Sequence, residues 1–340
     1  MKIMKKLAVL SSSAVIVLLG ILLWLTPEYP HEKDAFLGQC DGYGLYLYGN
    51  IDEAICPSPI RPLPDLTHEY QSIAGTAAFH PVTRATVILQ LQTAVDTAEA
   101  LKEMHSRLEE LLEHATPSEK GNLLFPYLFD WPYDFEKAPW YSSMAQGLAG
   151  AAFMAGWRVF EDERYLESAI QSIEAMRVEG ARYKFYRLTG KGVWFKEYLH
   201  NPYSVLDGSL IAISAIHDVY RCLPENHALK PVYREMYLAG LAGFKDEWRR
   251  FDAPYGLYFE DSKRRVTPDY YGINMAVLKH LGKIDPEIEA IRQRYILQDG
   301  FFPRFFTTVS GAFFKITRRW WPHTPIGIPA EDGPSPAFVL

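Results

Sequence analysis

Cysteine is scarce in this chain: 340 residues hold three, Cys40, Cys56 and Cys222. No two are spaced Cys-x-x-Cys and no Cys/His spacing fits a zinc module, which argues against a structural metal. A basic excess is also lacking, with 35 Lys+Arg against 41 Asp+Glu and a net charge of -6. Nucleic-acid binders carry a basic face, so no nucleic-acid partner is expected. The dinucleotide glycine fingerprint, the P-loop, G-x-S-x-G, H-E-x-x-H and the EF-hand loop are all absent. No cofactor and no metal are therefore expected. Charged residues make up only 22% and apolar ones 48%, which excludes global disorder and allows a large core. Aromatics reach 14%; they mostly fill cores, and flat rings also stack on sugars.

One long apolar run is present. Leu7 to Leu25 carries no charge and follows Lys2, Lys5 and Lys6. Its length suits a transmembrane helix, and the lysines should hold the N-terminus in the cytoplasm. Residues 1–26 are thus expected to be a membrane anchor, with the rest extracytoplasmic. A cleaved signal peptide is the rival, but Leu22-Leu23-Trp24-Leu25 puts bulk where a cleavage site needs small residues. In that oxidising compartment Cys40 and Cys56 are expected to pair, stabilising by about 3 kcal/mol; two free thiols are the alternative. Cys222 is expected to be buried. Residues 27–82, rich in Pro, Gly and Tyr, read as a stalk and N-terminal arm. Residues 320–340 hold Pro322, Pro325, Pro329, Pro334 and Pro336 and read as an extended wrap.

Residues 83–319 read as helical. Helical spacing runs from Thr83 to His114 as one segment, stopped by Pro117. Pro139 to Phe160 is small and apolar nearly all round, which predicts a buried helix, and Glu163 to Val178 carries a single stripe. Asn201-Pro202 reads as N-cap and N1 of another buried helix over 203–220. An amphipathic segment follows over 227–250, then an apolar one over 269–281 and a charged one over 286–295. Buried and amphipathic helices alternate, as expected for an (α/α) toroid of hairpins with inner and outer helices. Two inserts with strand-like stretches, Arg182 to His200 and Phe251 to Pro268, would lie at a rim, where loops carry function. His217, on a buried helix, is expected to be a satisfied core histidine.

Trp140-Tyr141-Ser142-Ser143-Met144-Ala145-Gln146-Gly147 resembles the WYSxMAQG signature of the C-terminal domain of D-glucuronyl C5-epimerases. Trp194-Phe195-Lys196-Glu197-Tyr198 is similar to that family's W-F-E-E-Y. Ser204-Val205-Leu206-Asp207-Gly208 is similar to its V-L-N-G stretch, and Gly256-Leu257-Tyr258 and Pro268-Asp269-Tyr270-Tyr271 follow in the family's order. The resemblance covers about residues 120 to 297 and implies an (α/α) toroid that epimerises glucuronate to iduronate in an acidic polysaccharide. Two departures stand out. The family's Tyr-Asp-Leu-Arg-His is Tyr258-Phe259-Glu260-Asp261 here, without the arginine, and two family histidines are Tyr271 and Asn274.

The chemistry sets what to look for. C5 of a uronate bears a proton next to a carboxylate. Epimerisation removes it on one face and returns it on the other through an enediolate-like transition state. Two proton-transfer groups must flank the ring, and the carboxylate must be neutralised or hydrogen-bonded. The resemblance implies Glu197 or Tyr198 on one face and Tyr258 or Tyr270 on the other. Substrate contacts are expected from Trp140, Tyr141, Gln146, Arg182, Lys184, Arg187, His200, Arg264 and Arg265. The same first step would start a polysaccharide lyase. Glycoside hydrolysis would pair Glu197 with Asp130, Asp134 or Asp269, and a glycan-binding protein without turnover is the non-enzymatic reading. A homodimer stays open.

Overall fold

The computed structural model describes residues 79–92, 97–130, 136–178, 183, 185–253, 256–262 and 268–298. The expected anchor, the Cys40 and Cys56 pair, most of the arm and the proline-rich wrap lie outside them. No helix among the described residues is long and apolar enough to cross a membrane.

The chain is mainly helical and builds in consecutive hairpins. Helices α1 (Pro81–Leu91) and α2 (Ala98–Glu113) form the first. The sequence reads this stretch as one helix, and the structure divides it. Thr97 adopts extended backbone, and its hydroxyl caps α2 by accepting from the Ala100 N–H. Val95 and Ala98 continue the helical spacing, so periodicity alone conceals the break. After a short antiparallel pair of β1 (Thr116–Pro117) and β2 (Leu123–Leu124), helices α3 (Ser143–Phe160) and α4 (Glu163–Val178) form the second hairpin. Ser142 caps α3, and Glu161 ends it in the left-handed conformation (φ 54°). Asp162 then accepts from the Arg164 N–H at 2.9 Å and opens α4.

The third hairpin pairs α5 (Leu206–Cys222) with α6 (Lys230–Glu247), which runs into a 3-10 turn at Trp248–Phe251. Asn201 does not cap α5, contrary to the sequence reading. Its side chain accepts from the Tyr203 N–H instead, and α5 starts after Val205 with no side-chain cap. The fourth pairs α7 (Pro268–Gly282) with α8 (Pro286–Gln298). Cys222 is half-buried rather than buried.

The first helix of each hairpin packs on the first helix of the next: α1 on α3, α3 on α5, α5 on α7. These are the inner helices, and the alternation in the sequence has this cause. Helix α3 is buried from Ala145 to Gly156, and α5 from Leu206 to Val219. Small residues let them approach, since a Cβ on Gly147 would sit 3.1 Å from the Ala215 Cβ. Larger side chains fill the space to the outer helices. Phe153, Tyr165, Leu108 and Ile173 are fully buried, each such side chain stabilising by about 2 kcal/mol.

Candidate active site

The first insert folds as a hairpin of β3 (Tyr186–Leu188) and β4 (Val193–Phe195), with Arg187 opposite Trp194. The Thr189 hydroxyl closes its turn by accepting from the Gly192 N–H at 2.9 Å. The hairpin lies on α6 with backbone almost touching backbone, because Gly192 faces the Ala239 carbonyl and Gly243 faces that of Val193. The loop that leaves β4 carries Lys196 to Asn201. Its start is fixed to α3, since the Ser143 N–H donates to the Lys196 carbonyl at 3.0 Å. Its end is fixed by Glu136. That buried carboxylate accepts from the backbone N–H groups of His200 (3.0 Å) and Asn201 (3.2 Å) and meets His200 Nδ1 at 2.8 Å.

Between these anchors the loop presents Glu197 and Tyr198, both buried. Glu197 lies on the first turn of α5. A Cβ added to Gly208 would stand 2.5 Å from its Cβ and from its Oε2. The glycine of the Leu206-Asp207-Gly208 stretch is thus the seat of the carboxylate, a reason the sequence does not reveal. Tyr198 approaches Trp140 with ring centroids 5.7 Å apart.

The second insert pairs β5 (Asp252–Ala253) with β6 (Gly256–Leu257) and continues through Tyr258 to Asp261. It joins the same edge. Glu260 bridges to Val205, the Leu206 N–H donates to the Phe259 carbonyl at 3.0 Å, and the Ser204 N–H donates to Asp261 Oδ1 at 2.9 Å. Stacking of Trp194 on Phe251, centroids 4.9 Å apart, ties the two inserts together. Tyr258 is half-exposed, and Glu260 is buried with its Oε1 accepting from the Ser262 hydroxyl. One rim, at the start of α3 and α5, therefore gathers Trp140, Glu197, Tyr198, Gly208, Tyr258 and Glu260. Tyr270 belongs to the first turn of α7. Arg182, Lys184, Arg264 and Arg265 lie outside the described residues.

Three of the expected substrate contacts are engaged by partners within the protein. Gln146 is fully buried and brackets backbone. Its Oε1 accepts from the Phe125 N–H at 2.9 Å, and its Nε2 donates to the carbonyls of Leu123 (2.9 Å) and Ser172 (3.1 Å). Trp140 is a core plug rather than an open platform. It stacks on Tyr127 at 3.7 Å, and its indole N–H donates to the Phe129 carbonyl. Arg187 pairs bidentately with Glu247, donates to the Ser204 hydroxyl at 2.8 and 3.1 Å, and lies over the Trp194 ring. Tyr141 is half-buried with its ring edge-on to Tyr183, and His200 is exposed on the rim loop.

The Arg187 pair yields a stability prediction. Burial pushes the Glu247 carboxyl up, but the hydrogen bonds and charge of Arg187, with Arg250 beside it, outweigh this and hold it below its usual value of 4.5. Unfolded, the group would take up its proton at a higher pH. The contribution is therefore full above about pH 4.5 and is lost as pH falls through the lower folded value. Arg187→Gln is expected to cost about 2 kcal/mol at pH 7. In urea denaturation the gap to the parent protein should narrow at acid pH, and a gap constant with pH would contradict the pairing.

Residues 120–297 match the sequence model described as the D-glucuronyl C5-epimerase C-terminus. The chain belongs to the D-glucuronyl C5-epimerase family. All four motif segments that converge on the rim fall inside the matched region. The D-glucuronyl C5-epimerase of Caenorhabditis elegans is 25% identical over 167 residues, which is 44% of this chain and 26% of that protein. The match thus takes in about a quarter of the nematode relative. Two solved structures are similar at lower identity. A glycoside hydrolase family 76 mannosidase, Bt3792 from Bacteroides thetaiotaomicron, is 11% identical with TM-score 0.36, over 60% of this chain and 56% of that one. A D-mannose isomerase is 13% identical with TM-score 0.33, over 60% and 73%.

The sequence reading missed Glu136, and it quoted Gly208 and Glu260 in the family motifs without giving them a role in the site. Glu136 has no motif around it, and only the fold brings it 64 residues forward to His200.

Proposed function

We propose that this rim epimerises D-glucuronate to L-iduronate within an acidic polysaccharide, outside the cytoplasm, on a chain held by the Leu7–Leu25 anchor. The hairpins are taken to close into an (α/α) toroid with the rim inserts bordering its cleft. One observation carries the reading: Glu197, buried and seated on Gly208, shares one edge with Tyr198 and with the segment from Tyr258 to Asp261.

In this reading the C5–H bond breaks as its proton passes to Glu197 or Tyr198 on one face. The electron pair moves into the carboxylate, giving an enediolate. Tyr258 or Tyr270 delivers a proton to C5 from the other face, and the carboxylate re-forms. Proton count and oxidation state are unchanged, so the reaction calls for no redox partner. The uronate carboxylate needs donors or cations through the transition state. His200, exposed on the rim loop, is one, and Arg182, Lys184, Arg264 and Arg265 are the further candidates. A carboxylate out of water and held by packing is a suitable proton carrier, since its geometry does not have to be found anew in each turnover.

The test is incubation with a glucuronate polymer of the heparosan type in deuterium oxide. Deuterium at C5 and iduronate signals by NMR are the expected result. Unsaturated uronate absorbance would indicate a lyase and new reducing ends a hydrolase; either, or no exchange at all, would overturn the proposal.

A further inference from the structure

At the other end of the inner helices, three ligand-type side chains turn facing polar atoms toward one another without hydrogen bonds between those atoms. His217 and Asp218 occupy the last turns of α5, and His280 the last turn of α7. All three are more than nine-tenths buried. Among the described residues, His217 Nδ1, Asp218 Oδ1 and His280 Nε2 have no hydrogen-bond partner. They face one another instead: Asp218 Oδ1 stands 3.5 Å from His217 Nδ1 and 3.6 Å from His280 Nε2, and all three atoms lie within 4.8 Å of each other. Those separations are too long for hydrogen bonds. Three unmatched polar atoms in one buried spot is an arrangement that folded proteins avoid. Nδ1 of the expected core histidine is thus left without a hydrogen-bond partner.

We infer that His217, Asp218 and His280 form a binding site for a divalent transition metal, of which zinc is the best fit. Two imidazoles and a carboxylate are the borderline N/O donor set that zinc takes. Bonds of about 2.1 Å in a tetrahedron put neighbouring ligand atoms about 3.4 Å apart. The two contacts to Asp218 are already close to that spacing, and turning the imidazoles inward closes the third. The fourth ligand would be a water: a small cavity with room for about one borders Asp218 and Ser214 beside Leu89, Leu148 and Ala151. The ion would join the C-terminal end of α5 to that of α7. It lies eleven residues along α5 from the Asp207-Gly208 end, about 16 Å away. Its role is therefore to lock two inner helices, and its presence does not depend on how the rim reacts.

The test uses the untagged full chain. Zinc competition against a chromophoric chelator should give one tight site per chain, and chelation should lower the melting temperature until zinc is restored. Asp218→Asn and His280→Gln should each weaken zinc binding by at least about tenfold and remove the zinc-dependent melting shift. Cobalt loaded into the unmutated protein provides a readout independent of variant folding: visible ligand-field bands of a tetrahedral N/O site are expected. Absence of a tight zinc site, cobalt spectra of an octahedral aquo ion, or undiminished zinc affinity in folded variants would each overturn the inference.

Discussion

Glu197→Gln is expected to slow deuterium exchange at C5 by about a thousandfold, the scale of a lost proton-transfer group, with an unchanged melting curve. The glutamine has the same shape and can keep the seat on Gly208, where a Cβ would meet the Glu197 Cγ at 2.9 Å. The amide cannot take up the C5 proton, so chemistry alone is removed. Tyr258→Phe is the companion change, on the segment that the Val205–Glu260 bridge attaches to the same edge. If the two groups work on opposite faces, the double variant should be hardly slower than either single one, since groups acting as a unit do not add. Activity within a few-fold of the parent for Glu197→Gln would remove that residue from the mechanism.

Gly243→Ala is expected to have the largest effect on stability. Its Cβ would stand 2.1 Å from the Val193 carbonyl oxygen and 2.6 Å from the carbonyl carbon. Neither atom is the free end of a side chain, so strand and helix must separate. Overpacking of this kind costs about 3 kcal/mol, against which the gain in helix propensity of about 1 kcal/mol is small. Gly190→Ala is the control on the same hairpin. Its Cβ would meet only the end of the Asp246 carboxylate, at 2.8 Å, which can swing aside. Thermal melts should show Gly243→Ala falling by several degrees or failing to accumulate, and Gly190→Ala nearly unchanged. The hairpin also leads into the Glu197 loop, so activity should fall with the fold in the first variant only.

What could be read from the sequence follows from how local each signal is. The α4 boundaries match the expected Glu163 to Val178, because the punctuation at Glu161 and Asp162 sits next to a clean stripe. The inner helices α3, α5 and α7 were readable from their largely apolar surface, a property of residues in order along the chain. The α1–α2 break was not, since a Thr97 cap inside an unbroken period leaves no trace in spacing. The motif resemblance pointed to the rim, but not to which of its residues are architectural. Gln146 and Arg187 look like sugar contacts in sequence, and their partners, Phe125 and Glu247, are 21 and 60 residues away. His217 had the same difficulty, with His280 on another hairpin.

The hairpins pack in chain order, so most contacts join stretches made close together in time during synthesis. A growing chain can set each pair against its predecessor before the next emerges, a topology of short-range closure that folds quickly. The rim is the exception. The backbone groups of Ser204 and Leu206 acquire these partners only when Phe259 to Asp261 arrive, more than fifty residues later. The scaffold can thus mature in steps while the candidate site is completed late, by a single segment that closes the edge.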